Sequence, residues 1–208
     1  MVQVIQAQNV GIAYLEERFG LHQTESEAFF TEWFTGLPEI TDLEKQELDR
    51  VKTHFLRLVK HPPLLEEVVK MVVLSPLLNL AGFYDEPFLI KNEQSIEISA
   101  EDEGKIIRGR IDVLVIQQQL WLLVIESKRA SFSVLEAIPQ ALTYMLGNPH
   151  EEKPVFGLVT NGSHFLFLKL AKLNTFKYAL SDEFTLLKRE NELYQVLKIL
   201  KKLGQAFS

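Results

Sequence analysis

Cysteine is absent from all 208 residues, which excludes disulfides, thiolate zinc clusters and thiol nucleophiles. Histidine is sparse: His22, His54, His61, His150 and His164 lie far apart and none forms an i, i+4 pair. A histidine-held zinc site is therefore not expected. Long apolar runs are missing too. The longest, residues 71–83, is interrupted by Ser75, Pro76 and Asn79 and is too short to span a bilayer. The opening MVQVIQAQNV lacks the basic start and apolar core of a secretion signal, so no membrane association and a cytoplasmic location are expected. There is no GxxxxGK[ST] phosphate loop, and repeats and low-complexity segments do not occur.

What is present suits a globular fold with a substantial core: 47% of residues are hydrophobic and 24% charged. The net charge of −6 argues weakly against a nonspecific nucleic-acid coat protein. Its distribution says more. Residues 1–104 hold 8 Lys and Arg against 19 Asp and Glu, whereas residues 105–208 hold 14 against 9. Such asymmetry is consistent with one face meeting an anionic ligand, or simply with an acidic helical half.

The first sixty residues read as helices. TESE (24–27) and TDLE (41–44) each fit a capping box before an amphipathic run. The second run ends at His61-Pro62-Pro63, since proline disfavours helical geometry in the residue before it. A further helical pattern follows, with Pro76 placed to kink or restart it and Gly82 to end it. From residue 87 the texture becomes β-rich: PFLI, QSIEIS, KIIRGRIDVLVI and LWLLVIESK. The last two carry apolar residues on both faces, as central strands do. FSVLEAIPQALTYMLGN returns to helical spacing, Asn161-Gly162 is a hairpin signal, TFKYAL is a candidate strand, and ENELYQVLKILKKLG closes as an amphipathic helix. The expected architecture is α/β, with a central mixed sheet flanked by helices. Residues 1–62 are expected to form a helical extension packed on a core domain of residues 63–208.

Within this pattern one constellation carries chemistry. Asp112 interrupts a buried strand, where an uncompensated carboxylate is costly. If a hairpin turns about Gln117–Gln119, with Ile116 facing Leu120, then Asp112 faces Val124 and Glu126 is its diagonal neighbour. Two close carboxylates raise one another's pKa unless a cation intervenes, and Mg²⁺ favours few carboxylates completed by water and phosphate oxygens. Lys128 shares the face of Glu126 and could act on an attacking water or on developing charge.

Asp112 with Glu126-Ser127-Lys128 resembles the core motif of the restriction-endonuclease-like, PD-(D/E)xK nuclease superfamily. Gln140 and Tyr144, which share a helix face, resemble the QxxxY element of RecB-like nucleases and of type I restriction motor subunits. Residues 67–82 resemble the helix that opens the nuclease domain of those subunits, with Glu67 at the position that completes the acidic cluster, and residues 157–170 resemble the hairpin that follows. The likeness covers roughly residues 64–170. Ile111 stands where the motif's name-giving proline would be, and without a GxxxxGK[ST] loop a free-standing nuclease-like domain rather than a motor subunit is expected.

The resemblance implies a restriction-endonuclease-like fold and Mg²⁺-dependent phosphodiester hydrolysis, with Mn²⁺ as substitute. Glu67, Asp112 and Glu126 would hold the metal, the Ser127 carbonyl being a further ligand. Lys128 would act on the water, and Gln140 and Tyr144 would position substrate or the lysine. DNA is the expected partner, with RNA not excluded. Arg108, Arg110 and Arg129 flank the motif and suit phosphate contact or structural ion pairing. Two readings remain beside this one: a nuclease fold that binds without cleaving, and a homodimer formed through apolar faces of residues 1–60.

Overall fold

The structure is a computed structural model that describes residues 3–99 and 105–205. In chain order the elements are β1 (Gln3–Gln6), α1 (Ile12–Phe19), β2 (His22–Gln23), α2 (Asp42–Leu58), α3 (Glu66–Val69), α4 (Ser75–Leu80), β3 (Phe88–Ser99), β4 (Lys105–Gln117), β5 (Leu120–Ser127), α5 (Val134–Leu146), β6 (Val155–Thr160), β7 (His164–Lys172), β8 (Phe176–Thr185) and α6 (Leu193–Gly204). They build one mixed sheet in the order β1-β4-β5-β6-β7-β8-β2, with β3 on the other edge of β4. The pairings β1–β4, β5–β6 and β2–β8 are parallel and the rest antiparallel.

Each face of the sheet carries a core. On one, α2, α4 and α6 supply Leu48, Val51, Phe55, Leu77, Val196 and Leu200 against Val113, Val115, Leu123, Ile125 and Phe167. On the other, α5 supplies Ala137, Ala141, Leu142 and Met145 against Leu114, Val124 and Leu168. Helix α5 is apolar on most of its surface because the sheet, α1 and the segment after β1 all pack on it.

Two expectations are corrected here. Residues 1–60 are not all helical: β1 pairs in parallel with β4 and β2 with β8. At 24–27 no capping box forms; a short 3₁₀ turn (Glu27–Phe29) takes its place, and Phe30 is drawn into the core. At Thr41 the box is complete, with Glu44 N–H donating to Thr41 Oγ1 and Thr41 N–H to Glu44 Oε2. Of the apolar side chains before residue 60, Leu15, Leu48 and Phe55 are fully buried within the chain, while Phe34 and Leu43 are exposed. Pro76 restarts a helix as expected, after a π-helical turn at Lys70–Leu74.

Among the described residues no helix is long and apolar enough to cross a membrane.

Candidate active site

The sheet opens a fork around the motif. Strand β3 occupies one edge of β4 along its length. On the other edge β5 pairs with residues 113–117 and β1 with residues 105–108. Among the described residues, none pairs as a strand with residues 109–112 on that edge. Their backbone groups must be satisfied by side chains or a ligand.

The β4–β5 hairpin turns on Gln118 and Gln119, both at positive φ (49° and 73°), the geometry that matches strand twist in a two-residue turn. The ladder starts at Gln117↔Leu120, slips by one residue at Val115/Ile116, and ends at Val113↔Ile125. Continued by one step, it sets Asp112 directly opposite Glu126, not diagonal to it as the sequence suggested. Two one-residue shifts are the reason: the turn uses two residues, Gln118 and Gln119, rather than three, and the bulge adds one more.

Asp112 accepts two hydrogen bonds: from the Ser127 N–H at 2.8 Å and from Lys70 Nζ at 2.9 Å. Lys70 also pairs with Glu66 at 2.7 Å. Burial alone would lower the pKa of Lys70, but the bonds to Glu66 and Asp112 outweigh it and hold it above the usual lysine range. Glu126 is 2% exposed. Its Oε1 accepts from Lys128 Nζ at 2.5 Å, while its Oε2 is buried with no hydrogen-bond partner. Burial and then the nearby charge of Asp112, opposed by Lys128, push its pKa up to about 8.

From Glu126 a line of hydrogen bonds runs onto α5. Lys128 Nζ donates to Gln140 Oε1 at 2.9 Å, and Gln140 Nε2 donates to the Tyr144 hydroxyl at 2.7 Å. Lysine has only donors, so it holds Gln140 with its oxygen toward the amine. Lys128 also stands 5.7 Å over the Phe132 ring. Tyr144 is pushed up to about 12 by burial and by the charge of Glu126, against hydrogen bonds from Gln140 and the Arg110 backbone. Gly109 is required beside it, because a Cβ there would stand 2.4 Å from Tyr144 Cε1 and 2.8 Å from Ala7 Cβ.

The fork continues into a groove of about 580 Å³ lined by Gln6, Gln8, Ser95, Arg108, Arg110 and, at the site end, Gln140 and Tyr144. Arg108 and Arg110 are thus brought to the site, paired with Glu97 and Glu93 at 2.8 and 3.1 Å on the exposed surface. Arg129 is exposed on the loop after β5.

Glu67 is not brought in. Helix α3 turns Glu66 toward Lys70 and Asp112 and leaves Glu67 exposed. Ser127 contributes its N–H to Asp112, while its hydroxyl is buried without a partner. Sequence reasoning missed Glu66, Lys70 and Gly109. The signal for the first two was the Glu66–Lys70 spacing of four, which pairs charges on a helix; for Gly109 it was a glycine inside a strand.

Among the described residues, no group of three or more His, Asp or Glu side chains gathers closely enough to hold a metal. The expected three-acid cluster is thus reduced to the pair Asp112 and Glu126. That pair still fits a small hard cation. Glu126 Oε2 lacks any partner, and Mg²⁺ commonly takes one or two carboxylates with the rest of its shell from water and phosphate.

Residues 26–175 match the family model for the type I restriction enzyme R protein N terminus. Among solved structures the fold is similar to DrdV in a DrdV–DNA complex, with TM-score 0.51 and 12% identity over 77% of this chain and 14% of that one. Another match is a fragment of a protein described as an HsdR subunit of a type I restriction enzyme from Vibrio vulnificus YJ016. It has TM-score 0.39 and 20% identity over 64% of this chain and 25% of that one. This chain therefore spans a minor part of both. A search of curated proteins gave no match. The match over residues 26–175 takes in the whole line from Glu66 to Tyr144, and the chain belongs to the type I restriction enzyme R protein N-terminal family.

Proposed function

We propose that this domain hydrolyses phosphodiester bonds in DNA with Mg²⁺, for which Mn²⁺ would substitute. The observation that carries the reading is the unbroken contact line Glu126–Lys128–Gln140–Tyr144 beside Asp112, lying in the fork of the sheet and opening onto the groove. Family membership and a structural neighbour bound to DNA favour DNA as substrate.

Asp112 and Glu126 would hold the cation, which when bound neutralises phosphate charge and acidifies a water. Asp112 is oriented for this by the Ser127 N–H. Lys128, fixed between Glu126 and Gln140, presents its amine at the carboxylate pair, where it can stabilise charge developing on a phosphate oxygen. Tyr144 stays protonated at neutral pH and sets the orientation of Gln140. Arg108 and Arg110 can exchange exposed glutamates for phosphates at small cost.

The test is turnover of supercoiled plasmid and single-stranded DNA in Mg²⁺ and Mn²⁺. Asp112→Asn and Glu126→Gln should each lower the rate on the order of a hundredfold or more; activity equal to the parent chain would eliminate the mechanism.

A second reading, binding without cleavage, is favoured by one observation. Lys70 Nζ bridges Asp112 and Glu66, a cation already supplied by the chain. It expects DNA affinity that survives chelation and Glu126→Gln, with no cleavage in either metal.

A further inference from the structure

Strands β3 and β4 both change faces at the level of Asp112. In β4, Ile107 and Ile111 pack in the α5 layer, yet Val113 and Val115 pack in the opposite one. In β3, Phe88 and Ile90 lie against the α2 layer, whereas Ile96 and Ile98 lie in the α5 layer. Residues two apart in a regular strand share a face, so each strand inverts once. The inversion has a visible cause. Glu93, within β3, has φ 51°, a left-handed conformation that costs energy for any residue with a Cβ. The register passes from Asn92↔Val113 to Gln94↔Ile111 and skips the pair Glu93 and Asp112.

The Asp112 carboxylate meets the Ser127 N–H and Lys70 at this point. We infer that Glu93 is a positioning residue: its left-handed backbone unpairs Asp112 from β3 and turns that carboxylate to the end of β5. The Glu93 carboxylate itself is not the agent. It pairs with Arg110 where both side chains are 63% exposed, and such pairs contribute little. What the site needs from position 93 is a backbone angle. This rests on the proposed function for its kinetic readout only.

Four variants of the full chain separate backbone from charge. Glu93→Gly and Glu93→Asn remove the carboxylate but accept the left-handed angle. Glu93→Val and Glu93→Thr remove it and favour a regular strand instead. The structural readout is the Ser127 amide in a ¹H–¹⁵N spectrum, calibrated by its displacement in Asp112→Ala. The kinetic readout is kcat against KM for DNA cleavage in Mn²⁺.

Gly and Asn should leave the Ser127 signal in place. Val and Thr should shift it toward the Asp112→Ala position and lower kcat on the order of tenfold to a hundredfold, with KM little changed. An unmoved Ser127 signal in folded Val and Thr variants, or a Gly variant displaced as far as Val, would overturn the inference. Failure of both Val and Thr to fold beside a folded Gly would assign the angle to the fold rather than to the site, and would overturn it equally. If the parent chain cleaves nothing, the proposed function fails, and the Ser127 signal alone decides the role of Glu93.

Discussion

Glu126 is the residue on which chemistry and stability meet. Its carboxyl titrates near 8 in the folded chain because burial and Asp112 oppose its charge, while in the unfolded chain it titrates near the ordinary value of about 4.3. Between those values the folded state binds more protons than the unfolded one, so stability falls as pH rises through that window. The slope contributed is at most about 1.4 kcal/mol per pH unit. Thermal unfolding in a chelator should therefore show a melting temperature that declines from pH 5 to pH 8 by more than in Glu126→Gln. At pH 8 the Gln variant should be the more stable of the two. Mn²⁺ needs the ionised form, and should restore the parent chain at pH 8 without raising Glu126→Gln. Parallel pH curves for the two proteins in the chelator would remove the claim that Glu126 is held protonated.

At the scale of elements, the β6–β7 hairpin shows what a local signal delivers. Asn161-Gly162 marks the turn in the sequence, and in the structure Gly162 has φ 86° while Asn161 Oδ1 accepts from the Ser163 and His164 N–H groups. The sequence did not reveal that this turn lies against α2 and α3, where a Cβ on Gly162 would stand 2.6 Å from Phe55 Cε2 and 3.0 Å from Val69 Cγ1. Phe55 is fully buried and has nowhere to go. Gly162→Ala should thus cost about 2–4 kcal/mol, adding strain at positive φ to overpacking, as read by urea unfolding; a loss under about 0.5 kcal/mol would mean that α2 yields.

The candidate site divides along the same line. Asp112, Glu126 and Lys128 were legible from strand alternation, and Gln140 and Tyr144 through the resemblance to a QxxxY element; hydrogen bonds link Glu126, Lys128, Gln140 and Tyr144 in one line beside Asp112. Choosing between Glu66 and Glu67 needed the rotation of α3, set by Val69 and Leu74 seating in the core. The direct opposition of Asp112 and Glu126 needed both a two-residue turn and a bulge, and no residue type announces the bulge. Strands β1 and β2 are four and two residues long, and such short edges are specified by what they pair with rather than by their own pattern.

For the whole molecule, the family match begins at residue 26, yet the sheet does not. Residues 3–25 supply β1, α1 and β2, and they bury Ala7, Val10, Leu15 and Leu21 in the α5 layer. Ala7 also touches the space that Gly109 leaves open beside Tyr144, and Gln6 and Gln8 line the groove. Residues 3–25 therefore form part of the layer that holds α5, and α5 carries Gln140 and Tyr144. A chain starting at residue 26 loses the burial of three large apolar side chains, about 1.5–3 kcal/mol each. That sum is comparable to the whole stability of a typical domain. Such a chain should unfold at markedly lower urea, and near-ultraviolet circular dichroism should show the Tyr144 environment loosened before the α2 layer melts. If instead it unfolds at the same urea midpoint as the full chain, the segment before residue 26 is an ornament on the family fold rather than a wall of its site.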